Sequence, residues 1–411
     1  MDITILAYLE PDEEKPDVVM EQVAAGLEAG GHKASILTIR HDVNELVEGL
    51  KKRKPNLVFN LVESFGDDIM GGQIGVAGLL DLLELPYTGG GPGEIFLQED
   101  KALSKKLLAF EQIPYPDFAT FAPNADFETG GNLRMPLFVK PLRMDASIGI
   151  DERSLVRNTQ QLMERVLYIH KTFGDAALAE EYIEGREFYV GVLGNQELTA
   201  FPPLEMDFSG LSTGMVPIMD NEAKFDESSA RFHGTKVVLP ELEPALKARL
   251  QKVSLEAYRA LRVRDYGRID LRLTETGEIF VIEVNASCYL ERGSEFASAA
   301  AAHGVPYPEL LNRITQLALE RFKHRKQAQR KRKKARSGAA GSSTASAAPA
   351  ASAAPAAPAA PAAPAAPAGS AAPAAPAAST APPASAAQEA PAAPENTPRD
   401  ERSSLRAKSR G

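Results

Sequence analysis

The chain has 411 residues, more than one hydrophobic core organises, so two or three domains are expected. Its 44% apolar and 25% charged residues describe a soluble globular protein. No apolar run reaches the 18 or so residues that span a bilayer, and a lone cysteine excludes an intramolecular disulfide or a zinc cluster. The net charge of −9 conceals an acidic body and a basic tail, because residues 321–411 hold 15 basic and 4 acidic side chains against 31 and 51 elsewhere.

In chain order, the start lacks the basic segment and cleavage site of a secretory signal, which points to a cytoplasmic location. Residues 3–8 form an apolar run of strand length. Residues 17–29 then repeat apolar side chains at helical spacing (Val19, Val23, Ala24, Leu27) and stop at Gly30-Gly31. Strand 34–39, helix 44–52 capped by Asn44, strand 57–62, helix 72–83 and a short strand ending at Gly89-Gly90-Gly91 follow. This alternation predicts a small α/β domain with a parallel sheet, ending near residue 93.

Asp100–Phe110 is expected to be a helix carrying Lys101, Lys105 and Lys106. Pro136–Pro141 is a strand that places Lys140 near its end, and a polar loop with a small-residue centre runs to Gly149. Residues 155–168 have the pattern of an amphipathic helix, and strands 178–183 and 187–193 meet at Gly185. Residues 202–235 read as one long irregular loop, a length that favours function over idleness. Helix 244–261 precedes the most informative segment.

That segment, Gly267 to Asn285, reads as two alternating runs around Thr276-Gly277, a β-hairpin. Period two places Arg268, Asp270 and Arg272 on one face, and Val281, Glu283 and Asn285 on one face of the second run. A turn at Thr276-Gly277 sets Asp270 across from Glu283 and Arg268 across from Asn285. Two carboxylates about 5 Å apart repel by about 3 kcal/mol at an effective dielectric near 20. Cross-strand pairs return only about 0.2–1 kcal/mol each. A magnesium ion between the acids would reverse the balance, with the amide carbonyl as a third hard ligand. The segment alone leaves two readings open, a metal site or a solvated hairpin face in another register.

Helices near 294–302 and 306–322 close the body. Ten basic residues then lie between Arg321 and Arg336, followed by Ala-Ala-Pro repeats into the 390s, which favour extended polyproline II and predict disorder. The basic run is a candidate polyanion or nucleic-acid contact. No P-loop is present, and no Gly-x-Gly-x-x-Gly opens a helix.

The order Asp100-Lys101, Phe138-Val139-Lys140-Pro141, Glu180-Glu181-Tyr182-Ile183 with Glu187, Gly267-Arg268-Ile269-Asp270 and Glu283-Val284-Asn285 resembles the ATP-grasp ligases. Within them it is most similar to D-alanine–D-alanine ligases, over residues 1–320. The resemblance implies an α/β (α+β) body with an ATP-grasp fold. Residues 1–93 would form an N-terminal substrate domain, 94–185 and 186–322 the central and C-terminal ATP-grasp parts, and 323–411 a basic segment with a disordered tail. It also implies a ligase that joins a small-molecule carboxylate to an amine through an acyl phosphate, using ATP and Mg2+ or Mn2+, with a homodimer admissible.

By position, Lys101, Lys140 and Lys224 would contact phosphates, and Glu180, Glu181, Tyr182 and Ile183 would face adenine, with Glu187 on the ribose. Asp270, Glu283 and Asn285 would hold the metal, and Arg268 would steady the reacting oxygen. Departures fall on the amino-acid side. The family's histidine loop is Asn60–Asp68 without histidine, its paired serines are Ala146-Ser147, its tyrosine beside Lys224 is Phe225, and Glu295 stands where an apolar contact is usual. Glu63, Ser147, Arg292 and Ser294 are the candidate substrate contacts. Either a true D-alanine–D-alanine ligase of peptidoglycan synthesis or a polyanion-tethered ATP-binding module would be an alternative.

Overall fold

A computed structural model describes residues 1–10, 15–66, 69–123, 128–129, 133–145 and 147–341. The Ala/Pro repeats, Asp67, Asp68 and Ala146 lie outside them. The first strand, β1 (Asp2–Tyr8), is buried at six of seven positions, as a strand covered on both faces must be. After it come α1 (Val18–Ala29), β2 (Lys33–Ile39), α2 (Val43–Arg53), β3 (Leu57–Asn60) and α3 (Ile69–Leu82). The three strands pair in parallel in the order β2-β1-β3. Ile3, Ile5 and Ala7 pack on Val19, Val23 and Leu27 of α1, while Leu6 and Tyr8 pack with Leu46 and Leu50 of α2 and Val76 and Leu80 of α3. Asp42, not Asn44, caps α2, its carboxylate accepting from the Asn44 amide at 2.7 Å. Both residue types cap well, so composition could not choose between them.

Next come α4 (Pro92–Glu99), α5 (Lys101–Phe110), β4 (Phe118–Phe121), β5 (Glu128–Thr129), β6 (Leu137–Pro141), β7 (Leu155–Val156), α6 (Thr159–Phe173) and β8 (Ala177–Glu181). The five strands form an antiparallel sheet, β5-β4-β8-β6-β7, with α6 packed on it through Leu162, Val166, Ile169 and Phe173. The expected helix start at residue 155 is corrected. Leu155-Val156 pairs with Leu137-Phe138, and the Asn158 side chain caps α6.

The remaining elements are β9 (Arg186–Gly194), β10 (Leu198–Ala200), β11 (Leu204–Asp207), α7 (Asn221–Phe225), α8 (Ala230–Gly234), β12 (Lys236–Val238), α9 (Pro244–Ala260), β13 (Tyr266–Leu273), β14 (Ile279–Ala286), α10 (Glu295–Ala302) and α11 (Tyr307–Gly341). They build a six-stranded antiparallel sheet, β12-β11-β9-β13-β14 with β10 on β9, covered by α9. The stretch 202–235 therefore holds a strand and two short helices, contrary to the irregular loop expected. Gly185, at φ +144°, makes the passage between the two antiparallel sheets, where an added Cβ would sit 2.0 Å from the Leu273 carbonyl oxygen.

The hairpin refines its own prediction. The Gly277 amide donates to the Thr274 carbonyl at 3.0 Å, so the reversal occupies Thr274–Gly277 rather than Thr276-Gly277 alone. A register shift between Asp270 and Leu271 absorbs the difference, leaving Ile282 as the extra residue of a bulge. Val281 is thereby turned into the core opposite Leu271, away from the Glu283 face expected for it. Asp270 stays opposite Glu283, and Arg268 opposite Asn285.

Candidate active site

The charged face of the hairpin is where several of the sequence's candidates meet. Arg268 donates to both carboxylate oxygens of Asp270, at 2.7 and 2.9 Å, and to Glu295 at 3.0 Å. Asn285 Nδ2 donates to Asp270 Oδ2 at 3.1 Å, and Lys101 lies 3.4 Å from Glu283. Burial lifts the Asp270 carboxyl above the usual range against the pull of Arg268, with Glu283 adding to the rise. Burial would raise Glu283 as well, but the positive charges of Lys101, Lys140, Lys224 and Arg268 prevail and hold it at about 2. The two facing acids are thus driven apart in acidity.

Helix α5 brings the five-stranded sheet to this face. Lys101 and Lys105 stand one turn apart on its buried side. Lys101 Nζ donates to Asp145 at 2.9 Å and to the Met144 carbonyl at 3.0 Å. Lys105 meets Glu180 at 2.6 Å, and Lys140 meets the other Glu180 oxygen at 2.9 Å. Lys105 also donates to the Ile282 carbonyl released by the bulge, at 3.4 Å. All three of Lys105, Lys140 and Glu180 are buried. Burial opposes the Glu180 charge, yet the two ammonium groups overcome it and hold the carboxyl below the ordinary range. Lys105, which sequence reasoning left without a role, shares the face of Lys101 by i,i+4 spacing, the signal that could have found it.

At the passage between the sheets, the Glu181 and Tyr182 amides are already donated to Asp117 and Pro136 carbonyls, at 2.8 and 3.0 Å. The Glu181 side chain accepts from Arg134, and Ile183 is half-buried between β8 and β9. Glu187 pairs with Arg272 at 2.6 Å and accepts from the Tyr189 hydroxyl at 2.7 Å. Ser147 Oγ donates to the Met219 carbonyl at 3.0 Å. Lys224, on α7, is half-buried and close enough for its charge to act on Glu283 and Glu295.

A cleft of about 40 Å³ opens where the C-terminal ends of β1 and β3 face the segment after β14. Tyr8, Asp17, Glu63, Cys288 and Tyr289 are on its wall, and the Tyr289 hydroxyl donates to Asp17 at 2.9 Å. Glu63 therefore lies at this cleft, while Arg292 and Ser294 are not on its wall. Arg292 is exposed and stacks its guanidinium 5.3 Å over the Tyr307 ring; Ser294 is buried and donates to the Tyr289 carbonyl at 3.1 Å. Burial pushes the Cys288 thiol well above its usual range, so it offers no thiolate nucleophile.

The donor chemistry fits a hard cation. Two carboxylates and an amide converge, with Arg268 and Lys101 at present balancing the acids. Among the described residues no group of three His, Cys, Asp or Glu side chains forms a closed metal cage. An incomplete oxygen set of this kind suits an ion that arrives with nucleotide phosphates. No helix among the described residues is long and apolar enough to cross a membrane.

Comparison with known proteins assigns the family. A family described as D-ala D-ala ligase C-terminus matches residues 107–316. The chain is 32% identical over 309 residues to the uncharacterized protein y4sG of Sinorhizobium fredii, covering 74% of this chain and 88% of that protein. It is 32% identical over 255 residues to the D-alanine–D-alanine ligase of Desulfotalea psychrophila, covering 61% and 76%. The fold is shared with the D-alanine–D-alanine ligase of Bacillus anthracis crystallised with ATP, at a TM-score of 0.60 and 22% identity over 78% of this chain and 99% of that one. The family match over residues 107–316, with relatives 32% identical over 88% and 76% of their own length, shows that the chain belongs to the D-alanine–D-alanine ligase family of ATP-grasp, ATP-dependent carbon–nitrogen ligases.

Proposed function

We propose that the protein uses ATP to activate a small carboxylate as an acyl phosphate and then joins it to an amine. The observation that carries this reading is the convergence of Asp270, Glu283 and Asn285 beside Lys101, on the edge where the two antiparallel sheets approach. ATP lies between residues 94–185 and 186–322. Lys101, Lys140 and Lys224 neutralise its phosphates, the segment Glu180–Ile183 faces the base, and Glu187 takes the ribose. Asp270, Glu283 and Asn285 would hold magnesium, which would supply Lewis-acid neutralisation of the phosphoryl oxygens.

The substrate carboxylate oxygen attacks the γ-phosphorus, and the bond to ADP breaks with its electron pair leaving on ADP. The amine lone pair then attacks the acyl carbon, the carbon–oxygen bond breaks, phosphate departs and the surplus proton passes to solvent. Arg268 sits where negative charge collects on the acyl oxygen. Glu63 and Ser147 orient the substrates, and Arg292 and Ser294 support that pocket. We place the reaction in the cytoplasm.

Phosphate release from Mg-ATP across D- and L-amino acids, with hydroxylamine present to trap acyl phosphate, tests the reading. Turnover that no carboxylate raises above background overturns it. D-Alanyl-D-alanine formed from D-alanine alone would support the narrower peptidoglycan role. A separate observation, the exposed run Arg330–Lys334, supports a second role in contacting a polyanion.

A further inference from the structure

Arg268 is the guanidinium nearest the facing acids, and its charge is already answered twice. Its Nε and one Nη hold Asp270, and the other Nη holds Glu295 at 3.0 Å. One cation against two anions leaves this trio at −1. If Asp270 turns to a metal ion, Glu295 still neutralises Arg268. The position is firm: Glu295 begins α10, Ser294 before it is buried, and Phe296 after it is 1% exposed in the core. The Tyr189 ring lies 4.9 Å beneath the guanidinium and limits its movement.

The adjacent cleft carries the same sign. It begins two residues past Asn285, and among the described residues its charged wall residues are Asp17 and Glu63, with no lysine or arginine. Cys288 on that wall is close enough to Arg268, Glu295 and Asp270 to feel their charges. A substrate carboxylate entering here would meet two acids and an arginine already neutralised. An ammonium would meet complementary charge.

Resting on the ligase reading above, the geometry points to Glu295 as the residue that sets acceptor specificity. By occupying Arg268 it selects an amine of net positive charge without a free carboxylate, such as a diamine, over a zwitterionic amino acid. One nitrogen of the diamine, deprotonated, attacks the acyl carbon; phosphate leaves with the carbon–oxygen bonding pair, the nitrogen loses its proton to solvent, and the second ammonium remains in the cleft.

The test uses the full chain and matched acceptors that differ by a carboxylate: 1,4-diaminobutane against ornithine, and D-alaninamide against D-alanine. The donor is whichever carboxylate gives hydroxamate with hydroxylamine and Mg-ATP. We expect kcat/KM to favour the member without a carboxylate by about tenfold or more, and Glu295→Leu to shrink or invert that ratio by about the same factor. Equal or better use of the amino acids by the wild-type protein overturns the inference while hydroxamate formation leaves the ligase reading standing. Absence of hydroxamate with every donor overturns both. Where Glu295→Leu does not fold, Glu295→Gln carries the same comparison, and a ratio unchanged from wild type in a folded Glu295 variant overturns the assignment to Glu295.

Discussion

Asp270 and Glu283 face each other across the β13–β14 ladder, and each carboxylate is held by a different cation, Arg268 for the first and Lys101 for the second. The repulsion expected from the sequence is therefore real, and the protein's own side chains balance it. On the function proposed above, those same pairings would loosen for a metal–nucleotide complex to enter.

Glu283→Gln removes one hard ligand while keeping the side chain's size. We expect the Mg2+ concentration for half-maximal turnover to rise tenfold or more, and kcat to fall about 100-fold. Titrating Mg2+ at fixed ATP with phosphate release as readout checks this. Unchanged Mg2+ dependence would remove Glu283 from the metal set.

Glu180 links Lys105 and Lys140 in the core of the same region. Its folded pKa is depressed below the unfolded value, so its stabilisation is present above about pH 4.3 and lost as pH falls through the folded value. Glu180→Ala leaves two buried ammonium groups unopposed and should cost about 3–5 kcal/mol at neutral pH. Urea unfolding at pH 7 and pH 4 measures both effects, and the variant should show a flatter acid slope than the parent.

Glu99 behaves in the opposite sense. It is 3% exposed, one of its oxygens has no hydrogen-bond partner among the described residues, and burial reinforced by Asp145 raises its carboxyl to about 9. The folded protein then binds a proton that the unfolded chain releases above about pH 4.3, so stability falls as pH rises from there toward 9. Glu99→Gln should be neutral or stabilising at pH 7.5 and should flatten that decline. Thermal melts from pH 5 to 9 report the slope, and a variant that melts lower at every pH contradicts the assignment.

The start of the basic run belongs to the body. Arg321 clamps Asp265 at 2.7 Å and the Tyr87 carbonyl at 2.7 Å, Arg325 pairs with Asp81, and Lys326 lies 3.4 Å from Glu84. A cut after Ala328 keeps these ties. Deleting residues 329–411 should leave turnover within about twofold, because the proposed site residues lie upstream, and should weaken low-salt binding to a polyanion such as duplex DNA. Loss of turnover with retained folding would assign the tail a catalytic part.

The hairpin was legible because period-two alternation and a Thr-Gly turn signal are local, and they set Asp270 opposite Glu283 from sequence alone. The bulge at Ile282 was not legible, since it compensates a turn that begins at Thr274 and is fixed by packing of Val281 under α9. Strand β11 carries little signal of its own because it is four residues long and is specified by its partner β9, whose paired residues lie 15 to 19 positions away. Lys105 and Glu99 carry no such signal for a different reason: a charged side chain is ordinarily solvated, and it is the approach of Glu180 to Lys105 and of Asp145 to Glu99, both from distant segments, that gives these two buried charges their neighbours.

A crystal structure of the protein with Mg2+ and a non-hydrolysable ATP analogue tests the central claim most directly. Metal density bonded to Asp270 and Glu283 at about 2.0–2.1 Å, with Lys101 and Lys140 on the phosphates, is the expected result. A nucleotide bound elsewhere, or a metal that ignores both acids, would contradict it.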